Sequence, residues 1–140
     1  MPTQFYRIIE HPADTGFEVK GNTRKKLFET AARAFFDIMW SVEHTGENEP
    51  YSIEVRSGDI NELMVNFLEE FLYLFDAKGL VSTDLKIESF SETKIIAKVW
   101  LHQFNNEIDQ ELLAVKAVTY HQLFIGRKDN QWVARVFLDI

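Results

Sequence analysis

Asp14 and Asp139 are the residues whose type and setting first invite chemistry. Asp14 stands in His11-Pro12-Ala13-Asp14-Thr15-Gly16, between two short strand-like runs, and Asp139 is followed by Ile140 alone. Each has an ordinary structural role open to it. An aspartate before a glycine can bond nearby backbone N–H groups in an Asx turn, and an aspartate at a strand end can simply be solvated. The alternative is a site for a hard cation. Two side-chain carboxylates and the main-chain carboxylate of Ile140 would supply the oxygen-rich, anionic donors that calcium or magnesium prefers, provided the fold brings residues 14 and 139 together.

Lys116 lies inside the apolar run Ala114-Val115-Lys116-Ala117-Val118. It can lay its stem on apolar neighbours with the ammonium in water, or pair with a carboxylate or phosphate, since an unpaired buried ammonium is costly. His121, after Thr119-Tyr120, reads either as a packed strand residue or as a ligand, and His11 is equally two-sided. His44 and His102 lack a supporting neighbour. The nucleotide-binding glycine loops, the H-E-x-x-H zinc motif and the G-x-S-x-G nucleophile turn are all absent, which disfavours ordinary enzymes of those classes. With no cysteine, disulfides, thiolate metal sites and thiol nucleophiles are excluded, and a cytoplasmic chain is the simplest expectation.

The elements that must position these residues follow from periodicity. Over Thr23 to Met39 the residues Leu27, Phe28, Ala31, Ala32, Phe35, Ile38 and Met39 recur at helical spacing. Lys25, Glu29, Arg33 and Asp37 step along the other face as pairs of opposite sign, and Thr23 is placed to cap the helix. Arg24-Lys25-Lys26 opposes the helix dipole, and the expectation is solvated cations paired with Glu29. A second stripe runs from Ile60 through Leu63, Met64, Phe67, Leu68, Phe71, Leu72 and Phe75, with Asp59 and Glu62 as a start and Lys78-Gly79 as a stop. The helical phenylalanines and methionines are core residues on this spacing.

Period-two alternation marks strands at 5–9, 17–20, 51–56, 85–90, 95–101, 115–125 and 132–140, the last four reading as a meander of hairpins. The polar stretch from Ser41 to Pro50 is the one substantial loop. The expected order is ββαβαββββ, an α+β fold in which two helices pack as one layer on a mostly antiparallel sheet. A length of 140 residues fits a single two-layer domain, residues 1–140, with no repeat and no linker. No run is long and apolar enough for a membrane span. A net charge of −7 disfavours tight binding to nucleic acid by the chain alone.

His11-Pro12-Ala13-Asp14-Thr15-Gly16, Leu27-Phe28 with Ala31-Ala32, Phe67-Leu68-Glu69-Glu70-Phe71-Leu72-Tyr73-Leu74, Val115-Lys116-Ala117-Val118-Thr119-Tyr120-His121, and Trp132 with Leu138-Asp139-Ile140 occur in one order along the whole chain. In these motifs the chain resembles the archease family. The resemblance implies a small α+β accessory protein of the RtcB-type tRNA-splicing RNA ligase. That enzyme joins a 2',3'-cyclic phosphate or 3'-phosphate RNA end to a 5'-hydroxyl with GTP and manganese. The accessory protein itself is non-catalytic and promotes ligase guanylylation and repeated turnover. The resemblance also implies a divalent metal, calcium first and magnesium or manganese as alternatives, on Asp14, Asp139 and Ile140. Ligase activation falls to Lys116, with His121 and His11. The chain departs from the family pattern at Pro12, where threonine is usual, and in Asn105–Leu112, which is shorter and lacks a histidine.

Two other classes compete. A stand-alone metal-dependent phosphate-ester hydrolase would use Asp14 and Asp139 for the metal and His11 or His121 as base. A chaperone-like protein-binding module would need an exposed apolar groove, which the phenylalanine-rich helices offer only where they are not buried.

Overall fold

Both helices begin and end where their capping residues stand. The structure is a computed structural model that describes residues 5–10, 14–43 and 49–140. Helix α1 spans Arg24–Met39, and the Thr23 side chain accepts the Lys26 N–H at its start. Helix α2 spans Ile60–Lys78. Asp59 accepts the Glu62 N–H at 2.8 Å while Glu62 reaches back to the Gly58 N–H at 3.1 Å, so the first turn's free donors are met from both sides. Gly79 ends α2 in the left-handed conformation at φ 67°.

The strands are β1 (Arg7–Glu10), β2 (Thr15–Gly21), β3 (Trp40–Ser41), β4 (Tyr51–Arg56), β5 (Leu80–Phe90), β6 (Lys94–Gln103), β7 (Gln110–Glu111), β8 (Ala117–Lys128) and β9 (Gln131–Asp139). The α+β class and the order of the larger elements agree with the sequence expectation; β3 and β7 are two-residue additions. The strands form a four-stranded sheet β1-β2-β9-β8, a three-stranded sheet β4-β6-β5, and the short pair β3-β7. Every pairing is antiparallel.

The last four long strands therefore do not form one meander. β5-β6 and β8-β9 are separate hairpins in separate sheets, because the segment after β6 pairs with β3 through β7 before β8 begins. Among the described residues no helix is long and apolar enough to cross a membrane.

Rings from both helices form the centre of the core. Phe28 meets Phe67 at 6.1 Å between centroids, Phe67 meets Phe71 edge-on at 5.0 Å, and Phe36 meets Phe71 edge-on at 4.8 Å. Such edge-to-face pairs add roughly 0.5–1.5 kcal/mol to simple burial. Ala134, Val136 and Leu138 of β9 enter this core from one sheet, and Ile95, Ala97 and Val99 of β6 from the other.

The charged face of α1 behaves differently from the expected row of helix-surface pairs. Its side chains cover the open edge of β5. Glu29 accepts the Ile87 N–H at 2.9 Å, and Arg33 donates to the Leu85 carbonyl and to Asp84, each at 3.0 Å. Arg24 pairs with Glu92 and lies over the Trp132 ring, which accounts for a cation in the first turn without Glu29.

Gly16, in the first motif, is opposite Phe137 on β9. A Cβ there would stand 2.7 Å from the Phe137 ring and 2.9 Å from the Val136 carbonyl oxygen. Alanine normally favours a strand over glycine, yet here Gly16→Ala should destabilise the chain by about 1–3 kcal/mol through overpacking. Gly16→Ala/Phe137→Leu should recover part of that loss in urea unfolding. A fully stable Gly16→Ala protein would show that the contact does not hold the register.

Candidate functional site

Antiparallel register assembles the site. β9 is flanked by β2 on one side and β8 on the other. Thr15 is opposite Leu138, and Asp14 and Asp139 are the next residues outward on their two chains. On the other flank Ala117 is opposite Asp139, and the Lys116 N–H donates to the Asp139 carbonyl at 2.7 Å. Asp14, Asp139, Ile140 and Lys116 thus lie at one end of the four-stranded sheet. Asp14 is half-buried; Asp139, Ile140 and Lys116 are exposed.

Two cross-strand devices hold the neighbouring rows. Glu18 of β2 accepts from Arg135 of β9 at 2.6 Å and from Arg7 of β1 at 3.1 Å. The Arg135 hydrogen bond, followed by that of Arg7, holds its carboxyl below the usual carboxylate range against the opposing effect of burial. In β8 the pairing jumps from Thr119 opposite Phe137 to Phe124 opposite Arg135, so residues 120–123 bulge against Val136 alone. Gln122 in this bulge is left-handed at φ 54°.

His121 belongs to that bulge. It is exposed, its backbone N–H donates to Thr119 Oγ1 at 3.2 Å, and its ring stands edge-on to Phe137 at 6.4 Å. It therefore neighbours the aspartate end of β9 through Phe137. His11 lies outside the described residues, as do Pro12 and Ala13.

Among the described residues, Asp14, Asp139 and Lys116 form no side-chain ion pair. Two carboxylates that are not committed to arginine or lysine, beside main-chain oxygens at a strand end, are donors of the kind a hard cation takes. Among the described residues no three His, Cys, Asp or Glu side chains cluster as a metal site. A cation here would need oxygen donors beyond the two carboxylates.

One residue of this neighbourhood escaped the sequence reading as a site element. Glu69 of α2 is half-buried, and its Oε1 accepts the Val118 N–H at 3.1 Å. It meets an edge amide of β8 two residues after Lys116. Burial pushes the Glu69 carboxyl above its ordinary value; the Val118 N–H opposes this and Asp76 adds to it. The available signal was a charged residue flanking an apolar stripe. Tyr120 records the same acidic helix face, its phenol raised by burial and then by Glu62, Asp59 and Glu69.

These features define a small α+β protein with a carboxylate pair and a lysine gathered at one sheet end. The chain belongs to the archease family: the family model, described as the archease protein family, matches residues 6–140. It is 37% identical over 135 residues to protein archease of Pyrococcus furiosus, covering 94% of this chain and 95% of that one. With protein archease of Methanosarcina barkeri it shares 30% over 139 residues, covering 96% and 95%. The solution structure of Methanobacterium thermoautotrophicum protein 1598 aligns with a TM-score of 0.77 at 28% identity, over 97% of this chain and 99% of that one. An archease of Thermotoga maritima, described as a possible chaperone, shares the fold with a TM-score of 0.65 at 18% identity, over 100% and 98%.

Two predictions follow from this geometry. If this end holds a hard cation, the parent should bind calcium by calorimetry, and Asp14→Ala and Asp139→Ala should each bind it at least tenfold more weakly while the fold persists; no binding by the parent, or two folded variants that bind like it, would remove the shared site. Glu69→Ala should cost about 1–2 kcal/mol by leaving the Val118 N–H without its acceptor. Because the folded Glu69 carboxyl is raised, its contribution is fully present below the ordinary glutamate range and is lost as pH rises through the folded value. Glu69→Gln should keep the acceptor and flatten that part of the stability–pH curve, and an unchanged curve would count against it.

Proposed function

We propose that the chain is an accessory protein of an RtcB-type tRNA-splicing RNA ligase that promotes ligase guanylylation and multiple turnover without catalysing a reaction itself. On this reading it acts in the cytoplasm and holds a divalent cation, calcium first, through Asp14, Asp139 and a main-chain oxygen of Ile140. Family membership supports the reading. The single observation that supports its chemistry is the register that sets Thr15 opposite Leu138 and Ala117 opposite Asp139, so that the strand ends carrying Asp14, Asp139 and Lys116 lie side by side.

Guanylylation gathers a triphosphate, a nucleophile and a leaving pyrophosphate, so charge placement dominates its barrier. A bound cation supplies positive charge and orients phosphate oxygens. The chain's own residues do the rest. Asp14 and Asp139 balance the cation, the Lys116 main chain ties β8 to the Asp139 carbonyl, and the exposed Lys116 ammonium offers a compact donor to phosphate. His121, exposed in the bulge beside Phe137, offers a further polar contact on the same side.

The description of the Thermotoga maritima relative as a possible chaperone raises a second reading, a protein-binding module. The helical phenylalanines weigh against a groove formed by the helices, since Phe28, Phe35, Phe36, Phe67 and Phe71 are all buried.

Added in substoichiometric amounts to its cognate ligase with GTP and manganese, the protein should raise multiple-turnover RNA joining. Equal joining with and without it would end the assignment. Lys116→Ala should reduce activation at least tenfold while leaving the fold intact, and Lys116→Arg should restore little, since a planar fork does not replace a compact ammonium. A parental guanylylation rate in Lys116→Ala would remove the lysine from the mechanism.

A further inference from the structure

A cleft of about 330 Å³ lies between the second half of α1 and the start of β5, and none of the residues discussed above as candidate ligands lines it. Among the described residues, two buried side-chain polar atoms have no hydrogen-bond partner, Trp40 Nε1 and Ser82 Oγ. Both residues line this one cleft. Trp40 is 4% exposed and Ser82 is 2% exposed. Folded chains leave few such groups, because a buried donor without an acceptor has lost its water and gained nothing.

The surrounding groups define what would satisfy them. An indole N–H can only donate, whereas a hydroxyl can donate or accept. Acidic groups stand at the same cleft, each with one oxygen already engaged. Asp37 Oδ2 accepts the Tyr6 hydroxyl at 2.6 Å, and Asp84 Oδ1 accepts Arg33 Nε at 3.0 Å and the Leu85 N–H at 2.8 Å. The other oxygen of each carboxylate remains an acceptor. Phe36 and Trp40, stacked at 6.0 Å with 25° between planes, supply flat apolar wall.

We propose that this cleft binds a small, neutral, planar amide. Its carbonyl oxygen accepts from Trp40 Nε1 and Ser82 Oγ, and its N–H donates to Asp37 or Asp84. Asp37 and Asp84 outnumber Arg33 at the cleft and disfavour an anion, and a simple cation leaves the Trp40 N–H unmet. The volume is at the lower end of ordinary ligand sites, roughly 300–1,000 Å³, which suits an amide carried on a single ring. Phe5 also lines the cleft and is 50% exposed.

The test is a titration of the full chain with benzamide, followed by the Trp40 indole N–H in proton–nitrogen spectra. Its signal is distinguished from those of the other two tryptophans by Trp100→Phe and Trp132→Phe. Benzamide should give a saturable downfield shift of that proton, and benzoate, of the same size but anionic, should bind at least tenfold more weakly. Ser82→Ala should bind benzamide roughly fivefold more weakly, as the loss of one neutral hydrogen bond implies. The benzamide–benzoate comparison in the parent protein stands without any variant. No saturable shift, or equal shifts with both compounds, overturns the proposal. A long-lived water at the Trp40 indole that benzamide does not displace overturns it too, and makes the cleft a solvent site only.

Discussion

The register of β9 between β2 and β8 is the constraint on which the rest of this molecule depends. Side chains alternate along a strand, so a slip of one residue would send Ala134, Val136 and Leu138 out of the core and bring Arg135 and Asp139 in. Two contacts hold β9 against that slip on its other face. The Phe137 ring lies across Gly16, where no side chain has room, and Glu18 links Arg135 to Arg7 across three strands. The strand ends that carry Asp14, Asp139 and Lys116 lie side by side as a consequence of that register. None of these residues needs a dedicated loop to reach the others.

The helices complete the sheets in a second way. Among the described residues β5 and β8 each have one side without a strand neighbour, and an open row of amides invites pairing with other chains. α1 meets β5 through Glu29 and Arg33, and α2 meets β8 through Glu69. The helices thus bury apolar stripes and also satisfy backbone groups that a flat hydrophobic face would leave bare. At Glu69 this carries an electrostatic cost, visible in the raised carboxyl, and the result is a firm hold on the strand that follows Lys116.

Both helices were legible in the sequence almost to the residue, because periodicity and caps are local. Thr23, Asp59 and Gly79 act where their types predict. The long strands were legible for the same reason. Their partition into two sheets was not, since it depends on β7 reaching back to β3, a pairing with no local signature. The charged face of α1 was misread for a related reason. Opposite charges four residues apart suggest helix-surface pairs worth only a few tenths of a kcal/mol each, about 0.2–0.5. A neighbouring strand edge with unmet donors and acceptors offers those side chains more, and the edge comes from a segment distant in the chain. The aspartates were recognisable as oxygen donors from their types, while their placing at one sheet end required β2 and β9 to be neighbours.

Charge links this geometry to the proposed role. A chain of net charge −7 is repelled by phosphate, so an approach to a triphosphate or an RNA end works against its overall field. Arg7 and Arg135 share Glu18, Arg33 is engaged with Asp84, and Arg24 with Glu92, so each of these guanidiniums already has a carboxylate partner. Lys116 is different: it is exposed, has no ion pair among the described residues, and its main chain lies at the sheet end that carries Asp14 and Asp139. A divalent cation held by Asp14 and Asp139 would cancel their two negative charges and leave the Lys116 ammonium free for phosphate. On the proposed reading, the acidic body then discourages RNA from binding elsewhere on the surface, and this one sheet end becomes the place where phosphate is tolerated.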